Sequence, residues 1–306
     1  MPRSTSSIDV IIPVFNGEAF IKQAVLSVIG QTLQPAQIII VDDGSTDATE
    51  QIVQQVTANS PVRITYIYQQ NKGVSAARNI GIINSSSDYI AFLDADDTWQ
   101  STKLAEQFAI FQSDLLFRTG VVYTDVRPID FHGNDTEEYF GDFLDKNLRG
   151  NIFTKLFKAN ISSSASGVLV KRECFTTAGL FDLSLSACED WDMWLRIAEY
   201  YEFDYVDQQL VNIRLHKKNA SKDIYAMILG RVIVLHKLYE RHQNDPLIMQ
   251  ELRYNVIRLI VQSIPSFRAL ADIQRLLPAE TRRKIFANAT GIFQAIRKGI
   301  YKLLDR

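Results

Sequence analysis

Cysteine is nearly absent from this chain: 306 residues contain two, Cys174 and Cys188. They form no CxxC pair, so neither a structural zinc site nor a disulfide framework organises the fold, and a reducing, cytoplasmic setting is expected. No run of about 18 apolar residues occurs, so no spanning helix is expected. Residues 1–7 are polar and lack the apolar core of a signal peptide. An excess of one charge is missing too. Lys and Arg number 33 against 35 Asp and Glu, a net charge of -2. No global field draws such a chain to nucleic acid, and none is expected as a partner. There is no Walker loop and no GxGxxG, so kinase-type and dehydrogenase-type nucleotide binding are unsupported. Internal repeats and low-complexity tracts are also absent.

What is abundant is apolar: 46% of residues are hydrophobic and 22% charged, which excludes a disordered chain and allows one large domain with an appendage. Asp9–Phe15, Ile38–Val41, Arg63–Tyr68 and Tyr89–Leu93 read as strands, the first with a proline at its exit. Glu18–Ile29 and Ser75–Asn84 read as helices between them. Asp47, with Glu50 three residues on, resembles the capping box of another. Strand and helix alternate, which predicts an α/β domain with a mainly parallel sheet. Further on, Val121–Tyr123, Gly167–Val170, Phe203–Val206 and Val211–Leu215 read as short strands, and Trp191–Tyr200 as a helix introduced by Glu189-Asp190. Asp130–Lys158 reads as a mobile connector. From Ser221 the pattern is helical to the end, divided by Pro246, Pro265 and Pro278.

In parallel sheets ligands sit at the carboxyl ends of the strands. Three strands here end in unusual chemistry: Pro13-Val14-Phe15-Asn16, Asp42-Asp43-Gly44-Ser45 and Asp94-Ala95-Asp96-Asp97. In extended chain Asp94 and Asp96 would point the same way and could face one ion. Mg²⁺ and Mn²⁺ take such oxygen ligands and let substrate phosphates complete the shell. A capped turn is the plainer alternative for this run, as an ordinary βα loop is for Asp42–Asp47. Lys72, in Asn71-Lys72-Gly73, and Arg78, in Arg78-Asn79, supply cations that fit diphosphate recognition; a solvated turn and helix face fit equally. Acids and tryptophans alternate in Glu189–Trp194, and a carboxylate there could act as a general base, although acids at a helix start also serve the macrodipole. His216 is a candidate metal ligand or phosphate donor; a lone histidine is more often structural.

Taken together, Ile11–Asn16, Val41–Asp47, Asn71–Asn79, Phe92–Asp97, Gly179–Asp182 and Glu189-Asp190 resemble, in order and spacing, the family-2 glycosyltransferases of GT-A fold. The resemblance covers about residues 8–218. It implies a GT-A domain over 1–218 and leaves 219–306 as a helical C-terminal extension. It implies an inverting, metal-dependent transfer of a sugar from a nucleotide-diphosphate donor, most often a UDP-sugar, to an acceptor hydroxyl of a glycan or lipid-linked acceptor, in polysaccharide, glycolipid or cell-envelope glycan synthesis. By position, Pro13, Phe15, Glu18 and Asp43 would line the nucleoside site, with Asp43 on the base and Arg78 close by. Asp94 and Asp96 would hold Mn²⁺ or Mg²⁺ on the diphosphate, His216 would lie near it, and Asp190 would be the catalytic base. Leu180 stands where a second glycine is frequent, and Cys188 precedes the acids; both departures bear on acceptor choice.

Two alternatives differ in class. A sugar nucleotidyltransferase would need a Gly-rich basic loop near the N-terminus, which Pro13–Gly17 lacks. A catalytically silent glycan- or nucleotide-binding module on the same scaffold would be marked by loss of the acids, yet Asp94, Asp96 and Asp190 are present. At the C-terminus, Ile292, Phe293, Ile296, Ile300, Leu303 and Leu304 recur at helical spacing among Arg297, Lys298, Lys302 and Arg306. Such a helix either packs on the core with a solvated basic face, the simpler reading, or lies on the inner face of an anionic membrane.

Overall fold

The computed structural model describes residues 7–116, 118–137, 148–161, 164–217, 219, 222–252 and 255. The chain divides into two compact units, Met1–Asn219 and Ala220–Arg306.

The first unit is built on four parallel strands: β1 (Ile8–Val14), β2 (Gln37–Asp42), β3 (Arg63–Tyr68) and β4 (Tyr89–Phe92). β1 and β2 are almost wholly buried, as their β-branched runs require of strands covered on both faces. The crossovers are α1 (Ile21–Ile29), α2 (Thr49–Thr57) and α3 (Val74–Asn84). After β4 come β5 (Thr98–Trp99), α4 (Lys103–Ser113), β6 (Thr119–Ile129), β7 (Val168–Lys171), α5 (Glu173–Ala178), α6 (Glu189–Ala198) and β8 (Glu202–Arg214). Among the described residues these strands form one sheet in the order β3-β2-β1-β4-β7-β6-β8-β5, with β7 antiparallel to both neighbours and β5 antiparallel to β8.

Four local expectations give way to longer-range structure. Asp47 does not form a capping box: it accepts from the Thr49 N–H at 3.0 Å, whereas Glu50 accepts from Gln54. The two short strands expected between 203 and 215 are one, β8, interrupted by a bulge that breaks its apolar period. α6 begins at Glu189, so the acids are its first turn rather than its preface. The described end of the supposed connector is core. Ile152, Leu156 and Phe157 are buried, Gly150 bridges Phe203, and the Leu156 carbonyl accepts from Trp191 Nε1 at 2.7 Å.

In the second unit α7 (Ile224–His242) is N-capped by Asp223, which accepts from the Ala226 N–H at 2.9 Å. Asp245 accepts from the Leu247 and Ile248 N–H groups at 2.9 and 3.2 Å, capping the helical residues 246–252 with Pro246 at the first position. Among the described residues no helix is long and apolar enough to cross a membrane. The amphipathic pattern of 292–306 lies outside the described residues.

Candidate active site

Because β2, β1 and β4 are consecutive in the sheet, their carboxyl ends lie side by side, neighbours about 4.8 Å apart. Asp42, Phe15-Asn16 and Asp94 therefore converge on one edge, although 29 residues separate Asn16 from the Ser45 hydroxyl that accepts its N–H at 2.8 Å.

On the β1–β2 side, Pro13 is buried inside β1 and Phe15 is 53% exposed just beyond it. Asp42 is buried and accepts from the Ser45 N–H and the Tyr66 hydroxyl at 2.7 and 2.6 Å. Asp43, also buried, accepts from the Lys72 and Gly73 N–H groups, both at 2.8 Å, and from Gln69. Its carboxylate thereby holds the 69–73 loop against β2. Gly44 makes this approach feasible: its φ is +87°, and a Cβ there would lie 2.9 Å from the Asn71 nitrogen. Glu18 accepts from the Ala48 N–H at 3.1 Å and so helps cap α2.

On the β4 side, Asp94 and Asp96 are not in extended chain. The Asp97 N–H closes a turn on the Asp94 carbonyl at 3.0 Å, and the two carboxylates take different partners. Asp94 meets Arg78 Nη2 at 2.8 Å and the Ser164 hydroxyl at 2.6 Å. Asp96 Oδ2 lies 2.9 Å from His216 Nε2. Asp97 is buried, accepting from the Ser166 hydroxyl at 2.7 Å and the Arg214 N–H at 3.0 Å. Burial, then the charges of Asp96 and Asp94, push its carboxyl well above the usual range.

Arg78 joins this corner to α6. It is 3% exposed, and its Nη1 meets Glu189 Oε1 at 2.6 Å while its Nη2 holds Asp94. Its guanidinium also lies 5.4 Å from the centre of the Phe181 ring. Next to it, Asn79 exchanges two 2.8 Å hydrogen bonds with the Phe181 backbone, pinning the Gly179–Asp182 segment to α3. Asp190 accepts from Asn160 Nδ2 at 2.8 Å and from the Trp191 N–H at 2.7 Å. Burial, reinforced by Glu189, pushes its carboxyl up to about 7, against the pull of Arg78, Trp191 and Asn160. Cys188, just before, sits at φ +62°, a left-handed conformation rare for residues with a side chain.

Among the described residues no group of three or more His, Cys, Asp and Glu is arranged to hold a metal ion. Asp96 and His216 meet in a 2.9 Å hydrogen bond, and their oxygen and nitrogen are donors of a kind a divalent ion takes. Carboxylate oxygen is the donor that suits Mg²⁺ and Mn²⁺. Asp94 is engaged on both oxygens and is the less available donor.

The structure thus joins Asp94, Asp96, His216, Arg78, Glu189 and Asp190 in one network, and Pro13, Phe15, Glu18, Asp43 and Lys72 at the adjoining strand ends. Three participants escape a reading by motif, Asn160, Ser164 and Ser166, and a fourth, Arg214, lies in the Arg214-Leu215-His216 run without a role assigned to it. Arg214 is 1% exposed and clamps the turn, donating to the carbonyls of Asp96 at 2.9 Å, Asp130 at 3.2 Å and Phe131 at 3.0 Å, and to Gln23 at 2.8 Å. Phe20 stacks on His216 with ring centres 5.4 Å apart and lies 4.8 Å below the Arg214 guanidinium. An arginine ending a largely buried strand, and a serine cluster before another, were the available signals.

The family model described as glycosyl transferase family 2 matches residues 9–159. An uncharacterized glycosyltransferase of Rickettsia typhi is 30% identical over 232 residues, 72% of this chain and 68% of that protein. The chondroitin synthase of Escherichia coli is 32% identical over 216 residues, 70% of this chain but 30% of that protein. The chain spans 35% of the length of the curated relatives from Rickettsia conorii and Rickettsia felis. Among solved structures, S. aureus TarS residues 1–349 in complex with UDP superposes with a TM-score of 0.63 at 16% identity, over 95% of this chain and 87% of that one, a likeness of fold.

Proposed function

Since the chain belongs to the family-2 glycosyltransferases, with a GT-A-like fold, we propose that it moves a sugar from a nucleotide-diphosphate donor, with UDP as the favoured nucleotide, to an acceptor hydroxyl with inversion. The observation that carries this reading is the Asp94–Arg78–Glu189 bridge, which sets the acids of the β4 turn and the acids of α6 on the two sides of one guanidinium. A single displacement needs that proximity: one group to take a proton from the nucleophile, others to receive the leaving diphosphate.

Asp190 is the general base. Its carboxyl, raised to about 7, accepts the acceptor's proton near neutral pH as the hydroxyl oxygen attacks the anomeric carbon. Asn160 orients it through the 2.8 Å bond to Oδ2. Asp96 and His216 would hold Mn²⁺ or Mg²⁺, which supplies Lewis-acid stabilisation of the leaving diphosphate. Asp94 stays on Arg78, close to the donor sugar. Asp43 holds the 69–73 loop, where Pro13, Phe15, Glu18 and Lys72 would also border the nucleoside. A glycan acceptor in polysaccharide synthesis accords with the chondroitin synthase among the relatives, and a lipid-linked acceptor in cell-envelope synthesis is the second candidate.

The test is isothermal titration of UDP with and without Mn²⁺, together with release of UDP from a panel of UDP-sugars. Wild type should bind UDP more tightly with Mn²⁺ and hydrolyse at least one donor slowly; Asp96→Ala should lose the metal dependence. Equal affinities in wild type and variant, or no donor turned over, would contradict the reading and favour a silent binding module.

A further inference from the structure

Phe20 carries no role in the transfer described above, yet it touches the Asp96–His216 corner directly. Its ring is stacked on the His216 imidazole, with centres 5.4 Å and planes 19° apart. The contact is one of a registered pair. Residues 20 and 23 lie three apart at the start of α1 and share a face, and residues 214 and 216 recur on one side of the extended chain that ends β8. Phe20 meets His216, and Gln23 accepts from Arg214 Nη2 at 2.8 Å. The Arg214 guanidinium also lies 4.8 Å from the centre of the Phe20 ring.

The stack supplies what the hydrogen bonds around His216 do not. The χ2 torsion of a histidine is broad, and the 2.9 Å contact between Nε2 and Asp96 sets one atom of the ring rather than its plane. Asn219 fixes the backbone: its Oδ1 accepts the His216 N–H at 2.5 Å, and its Nδ2 donates to the Arg214 carbonyl at 3.0 Å. A stacked face sets the plane, and Phe20 provides one.

Phe20 is itself anchored. Its N–H donates to the Gly17 carbonyl at 3.0 Å, and its carbonyl accepts from the Gln23 and Ala24 N–H groups at 2.8 and 3.2 Å. The Phe131 ring meets it edge-on at 5.0 Å. Gly17 sits so close to β1 that a Cβ there would lie 2.5 Å from Val14 Cγ2. The chain from the exit of β1 to Phe20 is therefore a short, fixed link to the imidazole, and it is the same segment that carries Phe15 and Glu18.

We propose that Phe20 is a positioning residue: its ring holds the His216 imidazole in the plane from which Nε2 and the Asp96 carboxylate serve one divalent ion on the donor diphosphate. The inference rests on the metal-assisted transfer proposed above. Groups that orient a ligating histidine are typically worth roughly 10–100-fold in metal affinity. Leucine would fill the same half-buried space without fixing a plane, so ring and bulk can be told apart.

The test titrates UDP into the full chain with and without Mn²⁺, for wild type, Phe20→Leu and Phe20→Tyr, and follows the imidazole C–H resonances of His216 by NMR in each. Wild type should bind UDP more tightly with Mn²⁺. Phe20→Leu should lose roughly tenfold of that gain and keep the wild-type affinity for UDP alone, whereas Phe20→Tyr should keep the gain. The His216 resonances should lie upfield in wild type and Phe20→Tyr, within the ring current of the stacked face, and should move downfield in Phe20→Leu. The positioning role would be overturned by a Phe20→Leu protein with the full Mn²⁺ gain, by an equal loss of affinity for UDP alone, or by a Phe20→Tyr protein that behaves as Phe20→Leu. A wild type indifferent to Mn²⁺ would strike the metal reading itself, and this inference with it.

Discussion

Arg78 is the residue on which the site's electrostatics turn. Its charge faces Asp94 and Glu189 almost without solvent, so its own removal leaves two acids without their shared cation. Asp190 feels both members of the pair, Glu189 raising its carboxyl and Arg78 lowering it. A base must have lost its proton, so kcat/KM should rise with pH through about 7. Glu189→Gln should move that midpoint down and Arg78→Gln should move it up. Shifts of the reverse sign, or none, would contradict the assignment. The same carboxyl bears on stability with a fixed sign. The native state keeps a proton that the unfolded chain releases near 3.8, so Asp190's contribution to stability declines as pH rises from about 4 to about 7. Asp190 was legible as an acid after a strand-poor stretch in a recognisable motif. Asn160, which orients it from 30 residues away, carried no local signal.

At the scale of elements, the parallel strands could be read from their side chains alone. Ile38–Val41 and Tyr89–Phe92 are apolar because both faces are covered, and their shortness and bounding turns mark them as strands rather than buried helix. β8 could not be read as one strand because its bulge puts polar residues where the period demands apolar ones. The turn that carries Asp94 and Asp96 was hidden for a similar reason. Tertiary bonds from Arg214, Ser164 and Ser166 stabilise the turn, and alternation along an extended chain does not anticipate them. Arg214 is then the clamp whose loss should be felt most. Arg214→Met should lower unfolding free energy by at least about 3 kcal/mol, the worth of two hydrogen bonds to a charged group. Urea unfolding measures this; a variant as stable as wild type would show that the turn holds itself. At Gly44, where φ is +87°, alanine should destabilise by more than about 1 kcal/mol and loosen the 69–73 loop.

For the whole molecule, strand order accounts for the chemistry. β2, β1 and β4 run together, so loops from 29 residues apart (Asn16 to Ser45) to 78 apart (Asn16 to Asp94) share one edge, and α3 and α6 close it from the side through Arg78. A ligand bridging these loops should stabilise the fold they belong to, and UDP with Mn²⁺ should raise the melting temperature with the logarithm of ligand concentration above Kd. Everything catalytic in the account passes through one carboxyl. The most direct measurement is transfer, or slow donor hydrolysis, by Asp190→Asn beside a titration of UDP into the same variant. Activity should fall roughly 10²–10⁴-fold while UDP binds as it does to wild type. Full activity in that variant would contradict the account.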